Sequence, residues 1–302
     1  MAEARREVEV GGRALSLSNL DKVMWPKSKT TKGEAMDYYA RVADTLVPHL
    51  AGRPLTRVRF PDGVDGQRFY EKRIPKGAPE WVRSEPVGMD KVGEIDFVVC
   101  DDTPTLVWLA QMGALELHPS LSKVDAMECP TVLAFDLDPG PPAAMRECCT
   151  VALRVRELFM GVGLQSFAKT SGSKGMQVYV PLNGEATYER TKPFAHAVAK
   201  ALERAEPALV VSRMTKSLRI GKVLVDWSQN TRSKTTVAVY SLRARELPTV
   251  STPVTWEEVE AGAGGKDELV FRREDVLSRI AERGDLFAPV LELEQVLPDG
   301  SD

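Results

Sequence analysis

Histidine is scarce in this chain, with three in 302 residues, and the four cysteines, Cys100, Cys129, Cys148 and Cys149, never stand in C-x-x-C spacing. A zinc site needs nitrogen or sulfur ligands at short intervals, so this composition argues against one. The thiols read instead as buried side chains of a reducing compartment. No apolar run approaches the roughly 18 residues of a membrane span, and Met1–Glu7 lacks the apolar core of a signal peptide. The expectation is a cytoplasmic protein with no membrane partner. The chain also lacks the G-x-x-x-x-G-K-[ST] phosphate loop, internal repeats and any low-complexity tail. What remains, 43% apolar and 27% charged residues, is ordinary globular composition with room for one large domain or two modest ones.

Two carboxylates stand out. Val132-Leu133-Ala134-Phe135-Asp136-Leu137-Asp138-Pro139-Gly140 is an apolar run that ends in Asp-x-Asp and a turn. Side chains alternate along a strand, so Asp136 and Asp138 share a face opposite Leu133, Phe135 and Leu137, with Cα atoms roughly 6–7 Å apart. Mg²⁺ and Mn²⁺ favour such oxygen ligands, often together with substrate phosphates; two solvated acids before a turn is the plainer alternative. A third acid, Asp226, interrupts Val223-Leu224-Val225-Asp226-Trp227. A carboxylate at a buried strand end requires compensation, and either Arg219 or a metal would serve.

The formal charge of −3 hides an uneven distribution. From Arg213 to Arg245 eight basic residues face the single acid Asp226, an excess of seven. Such a field suits a polyanion, or is simply a solvated face. Thr170-Ser171-Gly172-Ser173-Lys174-Gly175 offers backbone amides and donors to an anion before the strand Met176–Val180; a hairpin turn is the competing reading.

Periodicity supplies the frame. Thr31 and Glu34 have capping-box spacing ahead of a helix running from Lys32 to just before Gly52, and the lysines around Trp25-Pro26 then lie near unpaired amides that favour phosphate. Leu55–Phe60, Arg68–Lys72, Ile95–Cys100 and Thr235–Tyr240 read as strands. Phe69 and Tyr70 should point oppositely, one to the core and one free to stack on a base. Helices are expected over Pro104–Glu116, terminated by His118, and over Ala143–Met160, Thr191–Ala205 and Glu274–Glu282. Glu257–Glu268, with its glycines, reads as a loop. The alternation favours an α/β or α+β architecture.

Taken in order, Ala114-Leu115-Glu116-Leu117-His118-Pro119, Phe135-Asp136-Leu137-Asp138-Pro139, the Thr170–Gly175 loop, Met214-Thr215-Lys216-Ser217-Leu218-Arg219, Val225-Asp226-Trp227-Ser228-Gln229-Asn230 and Tyr240-Ser241-Leu242-Arg243 resemble the polymerase domain of bacterial ATP-dependent DNA ligase D. That domain is a branch of the archaeo-eukaryotic primase superfamily, and the resemblance runs from about Leu15 to Leu286. It implies an α+β primase-like fold with mixed or antiparallel central sheets flanked by helices. The implied organisation is a flexible start at 1–14, a catalytic domain at 15–290 and a tail at 291–302. Asp136, Asp138 and Asp226 match the family's metal-binding catalytic carboxylates, for two Mn²⁺ or Mg²⁺ ions. Ser171, Lys174, His118 and Arg219 match positions that hold the nucleotide triphosphate, with Gln229 and Arg243 in the same site and Tyr70 as the base-stacking aromatic. Asn19, Lys22 and Lys32 match the pocket that grips a 5′-phosphate at a gap or end. The partners implied are 5′-phosphorylated gapped or broken DNA, NTP or dNTP substrates, a separate ATP-dependent ligase and an end-binding protein, in a nucleoid-associated setting. Ribonucleotide preference and gap filling in non-homologous end joining are implied as well.

One position departs from the family pattern. Gln177 stands where the superfamily usually has histidine; it can donate a hydrogen bond but cannot become cationic. A non-catalytic end-binding module therefore stays open as a second reading. A haloacid-dehalogenase-type phosphatase is the third, although its first aspartate normally lies near the chain start and is followed by Gly-Thr.

Overall fold

The structure is a computed structural model and describes residues 5–89 and 93–298. In chain order the elements are β1 (Arg5–Val10), β2 (Arg13–Ser18), β3 (Val23–Trp25), β4 (Thr30–Thr31), α1 (Lys32–Leu50), β5 (Pro54–Arg59), β6 (Phe69–Glu71), β7 (Ser84–Met89), β8 (Gly93–Val99), α2 (Thr103–Gln111) and β9 (Ala114–Pro119). There follow β10 (Val132–Pro139), α3 (Met145–Gly161), β11 (Phe167–Thr170), β12 (Met176–Pro181), α4 (Tyr188–Ala205), β13 (Val210–Val211), β14 (Val223–Asp226), β15 (Leu242–Ala244), β16 (Pro248–Val250) and β17 (Pro253–Val254). Three helices close the chain: α5 (Trp256–Ala263), α6 (Arg273–Arg283) and α7 (Pro289–Glu292).

The chain divides into two compact units. The first comprises residues 1–120, 235–250 and 272–282, and the second the remainder. In the first, β5 pairs antiparallel with β6, β8 and β9, β7 pairs with β8, and separate two-stranded ribbons join β1 to β2, β3 to β4 and β15 to β16. Its longest helix, α1, starts as expected: Thr31 Oγ1 accepts from Glu34 N and the Glu34 carboxylate accepts from Thr31 N. One face of α1 buries Ala35, Met36, Tyr39, Val42, Ala43 and Leu46.

The second unit is built on a six-stranded sheet in the order β13-β14-β10-β12-β11-β17, antiparallel except for the β13–β14 pair. The alternation along β10 is realised. Leu133, Phe135 and Leu137 are fully buried in a core with Cys148, Ala152, Val155 and Phe159 of α3, and the Phe135 and Phe159 rings lie 5.7 Å apart. Burying side chains of this size stabilises by about 1.5–3 kcal/mol each, which fixes β10 with its other face turned away from that core.

Three expectations of secondary structure, over Pro104–Glu116, Thr235–Tyr240 and Glu257–Glu268, are corrected. The helix expected to Glu116 stops at Gln111, because Gly113 adopts φ +77°, and Ala114–Pro119 forms β9; His118 therefore lies in a strand and ends no helix. Residues 235–240 hold a single bridge, Thr235 to Ser120, and no strand. Trp256–Ala263 is helical because Thr255 and Glu258 form a capping box that outweighs the glycines beyond it. Of the stretch expected as a flexible start, residues 5–10 form β1 in full register with β2, and residues 1–4 lie outside the described residues. Of the expected tail, Gln295 bonds to the Gln165, Pro181 and Leu182 backbone and Leu297 is buried; residues 299–302 lie outside the described residues. All four thiols are free, and burial pushes those of Cys100, Cys148 and Cys149 upward.

Candidate active site

The expected residues divide between the units. Asp136, Asp138, Ser171, Lys174, Arg219, Asp226 and Gln229 belong to the second; Asn19, Lys22, Lys32, Tyr70, His118 and Arg243 belong to the first.

In the second unit the sheet register sets the acids side by side. Asp136 on β10 is directly opposite Asp226 on β14, and opposite side chains of an antiparallel pair share a face. Asp138 follows two residues on and is exposed. Burial pushes the Asp136 carboxyl well above the usual carboxylate range and the nearby Asp138 and Asp226 charges push it further, in spite of the Gln177 hydrogen bond and the Lys169 charge. Like charges gathered in this way favour a cation, and one bound at this edge would favour the ionised form and release the proton.

Asp226 also serves its own turn. Its Oδ1 accepts from Ser228 N at 2.8 Å and from Ser228 Oγ at 2.6 Å, and its Oδ2 accepts from Gln229 Nε2 at 2.8 Å. Arg219 is not its counter-ion, since that guanidinium donates to Met214 O at 2.6 Å. Among the described residues no three acidic, histidine or cysteine side chains close into a ready-made metal cage. The donor set is oxygen alone, which fits Mg²⁺ or Mn²⁺ held by carboxylates together with substrate phosphates and excludes a soft-metal cage.

The Thr170–Gly175 loop is a hairpin turn that leads β11 into the antiparallel β12. Ser171 Oγ accepts from Ser173 N at 3.2 Å and Gly175 N at 3.3 Å, so two of its amides are engaged internally, while Lys174 is exposed. A cavity of about 700 Å³ lies beside the loop, lined among others by Pro139, Arg146, Ser173, Lys174 and Lys266. On the far side of Asp138, Gly140 N donates to Lys222 O at 2.8 Å and Gly221 N to Gly140 O at 3.0 Å. A side chain at Gly140 would collide with the Arg219 carbonyl, so the turn after the acids requires glycine. Asn230, fully buried, bonds both N and O of Ala134 and fixes the Asp226 turn to β10.

In the first unit, His118 and Arg243 meet on a carboxylate that the sequence did not single out. His118 Nε2 lies 3.0 Å from Glu116 Oε2, Arg243 Nε lies 3.2 Å from Glu116 Oε1, and Ala244 N donates to that same oxygen at 3.0 Å. Burial would push Glu116 up, but the His118 hydrogen bond and the Arg243 charge hold it down at about 2. The alternation Glu116-Leu117-His118 was the available signal, since it puts both polar side chains on one face of β9.

Tyr70 is 63% exposed and Phe69 39%, so neither fills the core: β6 is a short strand at the edge of its sheet. The Arg68 guanidinium lies 5.6 Å from the Tyr70 ring centroid.

Asn19, Lys22 and Lys32 are brought together by the turn before α1. Lys32 Nζ donates to Ser18 O at 2.9 Å and Lys22 Nζ to Asp62 Oδ1 at 2.9 Å. The expectation of unpaired amides there is corrected: Lys32 N, Gly33 N and Glu34 N donate to Lys22 O, Leu20 O and Thr31 Oγ1. The basic strip is partly matched too, since Arg213 pairs with Glu203, Arg232 with Glu128 and Arg243 with Glu116.

This architecture is shared with a solved structure. The polymerase domain from Mycobacterium tuberculosis Ligase D, in complex with DNA, matches with a TM-score of 0.86 and 42% identity, covering 92% of this chain and 98% of that one. The fold is that of a nucleotidyltransferase of the primase-polymerase class. Residues 31–287 match the LigD primase-polymerase domain, and the chain belongs to that family.

The multifunctional non-homologous end joining protein LigD of Mycolicibacterium smegmatis is 43% identical over 276 residues, 91% of this chain and 36% of the relative. The bifunctional LigD of Bacillus subtilis is 33% identical over 271 residues, 89% of this chain and 43% of the relative. The chain thus spans less than half the length of these curated relatives. No helix among the described residues is long and apolar enough to cross a membrane.

Proposed function

We propose that the chain adds nucleotides to a DNA primer by two-metal phosphoryl transfer, filling short gaps at breaks during end joining, with ribonucleotides preferred. The observation that carries this reading is the register that sets Asp136 against Asp226, with Asp138 on the same strand face. Two bound ions would activate the primer hydroxyl and stabilise the entering and leaving oxygens. Asp136, Asp138 and Asp226 would hold them. Ser171 and Lys174 would bind the triphosphate, with Lys174 and Arg219 offsetting charge that grows on the pyrophosphate. The family resemblance adds His118, Gln229 and Arg243 to nucleotide binding and Tyr70 to base stacking. That the relatives are end joining proteins supports end joining as the setting; a separate ATP-dependent ligase and an end-binding protein would be its partners.

The test is primer extension on gapped DNA with Mn²⁺ or Mg²⁺ and with both nucleotide types. Metal-dependent addition, stronger with ribonucleotides, is expected. End binding without extension would favour the non-catalytic module, and phosphate release from monoesters the phosphatase.

Asn19, Lys22 and Lys32 would grip the 5′-phosphate. With the first amides of α1 already engaged, ammonium groups must supply most of the attraction. Lys22→Ala is expected to weaken binding to a 5′-phosphorylated gap and to lower the slope of log affinity against log salt by about one. Equal wild-type affinity for phosphorylated and hydroxyl ends, measured by fluorescence anisotropy, would remove this assignment.

A further inference from the structure

The acid row continues across the sheet of the second unit. Asp136 on β10 lies opposite Gln177 on β12, and Gln177 lies opposite Lys169 on β11. The three side chains therefore stand on one face in consecutive strands. Lys169 is 1% exposed, and an ammonium out of water is costly unless its donors are used. They are: Nζ donates to Gln177 Oε1 at 2.6 Å and to Ser251 Oγ at 2.8 Å, and it lies 5.5 Å from the Tyr179 ring centroid. Ser251 Oγ in turn donates to Thr170 O at 2.8 Å, which fixes the far end of the chain of bonds.

A primary amide has one accepting and one donating end. With the ammonium on Oε1, the donating end of Gln177 faces the acids, and Nε2 reaches Asp136 Oδ1 at 3.0 Å. The Tyr179 hydroxyl, 3.5 Å from Oε1, favours the same orientation. A flipped amide would set NH₂ against the ammonium and the carbonyl against the carboxylate. Both contacts would be repulsive, so Lys169 decides which way Gln177 points.

We propose that Lys169 is a positioning residue that acts through Gln177: it holds the amide so that Asp136 Oδ1 is engaged, leaving Oδ2 to the divalent cation. This rests on the reading of the acids as a cation site. Partners that orient metal ligands typically alter affinity by about 10–100-fold when removed.

The test is Mn²⁺ binding without DNA or nucleotide, followed by electron paramagnetic resonance of the free ion, in wild type, Lys169→Met, Gln177→Leu, the double variant and Asp138→Ala. Each of the first two substitutions is expected to weaken Mn²⁺ binding about tenfold, and the double variant clearly less than the product of the two losses, because the lysine acts on Asp136 chiefly by orienting the Gln177 amide and only secondarily through its charge. Wild-type affinity in a folded Lys169→Met protein, or losses that multiply in the double variant, overturns the proposal. Should Lys169→Met fail to fold, Gln177→Leu decides, and unchanged affinity there overturns the relay. Wild-type protein that binds no Mn²⁺, or binding indifferent to Asp138→Ala, overturns the cation reading and this proposal together. Binding that depends on Asp138 but ignores Lys169 overturns this proposal alone.

Discussion

Asp138→Ala is expected to lower nucleotide addition about a thousandfold or more while leaving affinity for 5′-phosphorylated gapped DNA within about twofold. A thousandfold is about 4 kcal/mol of barrier, within what a metal-organised charge centre supplies. Asp138 is exposed at the end of β10, so its removal opens no core cavity and the protein should melt as wild type does. Asn19, Lys22 and Lys32, assigned to the 5′-phosphate, belong to the other unit. Single-nucleotide incorporation at saturating Mn²⁺, beside equilibrium binding to the gapped duplex, separates the two effects. Undiminished incorporation by the variant would eliminate the carboxylate mechanism.

The second large effect concerns stability. Glu116 carries both His118 and Arg243, and its carboxyl sits at about 2 instead of the ordinary 4.5. The depressed value means that the unfolded chain takes up this proton first as the solution is acidified. The stabilisation is thus complete above about pH 4.5 and is lost as pH falls through 2. The difference corresponds to roughly 3 kcal/mol. Glu116→Gln should therefore be less stable than wild type by roughly 3 kcal/mol at pH 7, and the two proteins should converge toward pH 2. Urea titrations across that range read the difference directly. A gap between them that stays constant with pH would show that the carboxylate charge is not what holds the cluster.

What the sequence made legible was local. The capping box of α1, the alternation in β10 and the acid that closes β14 are each written in fewer than ten consecutive residues, and each formed as expected. Errors arose where one local signal met another. The apolar stripe of α2 ran on past Gly113 into residues that pair with β5, and the glycines after α5 concealed its capping box. Strand alternation assigns Phe69 and Tyr70 to opposite faces but says nothing of whether a second layer covers either face. Glu116 and Lys169 carry little local signal, because their significance comes from pairing. Lys169 matters through Gln177 and Ser251, which lie 8 and 82 residues away along the chain.

The cross-strand row of Asp226, Asp136, Gln177 and Lys169 bears on which sequence changes the centre tolerates. Lateral alignment across four strands acts as a ruler, and a single inserted or deleted residue within β12 would turn Gln177 toward the apolar layer and put Val178 or Met176 beneath Asp136. Length changes are therefore confined to the connecting loops. Within the strands the row admits the exchange of one side chain for another but not the gain or loss of a link.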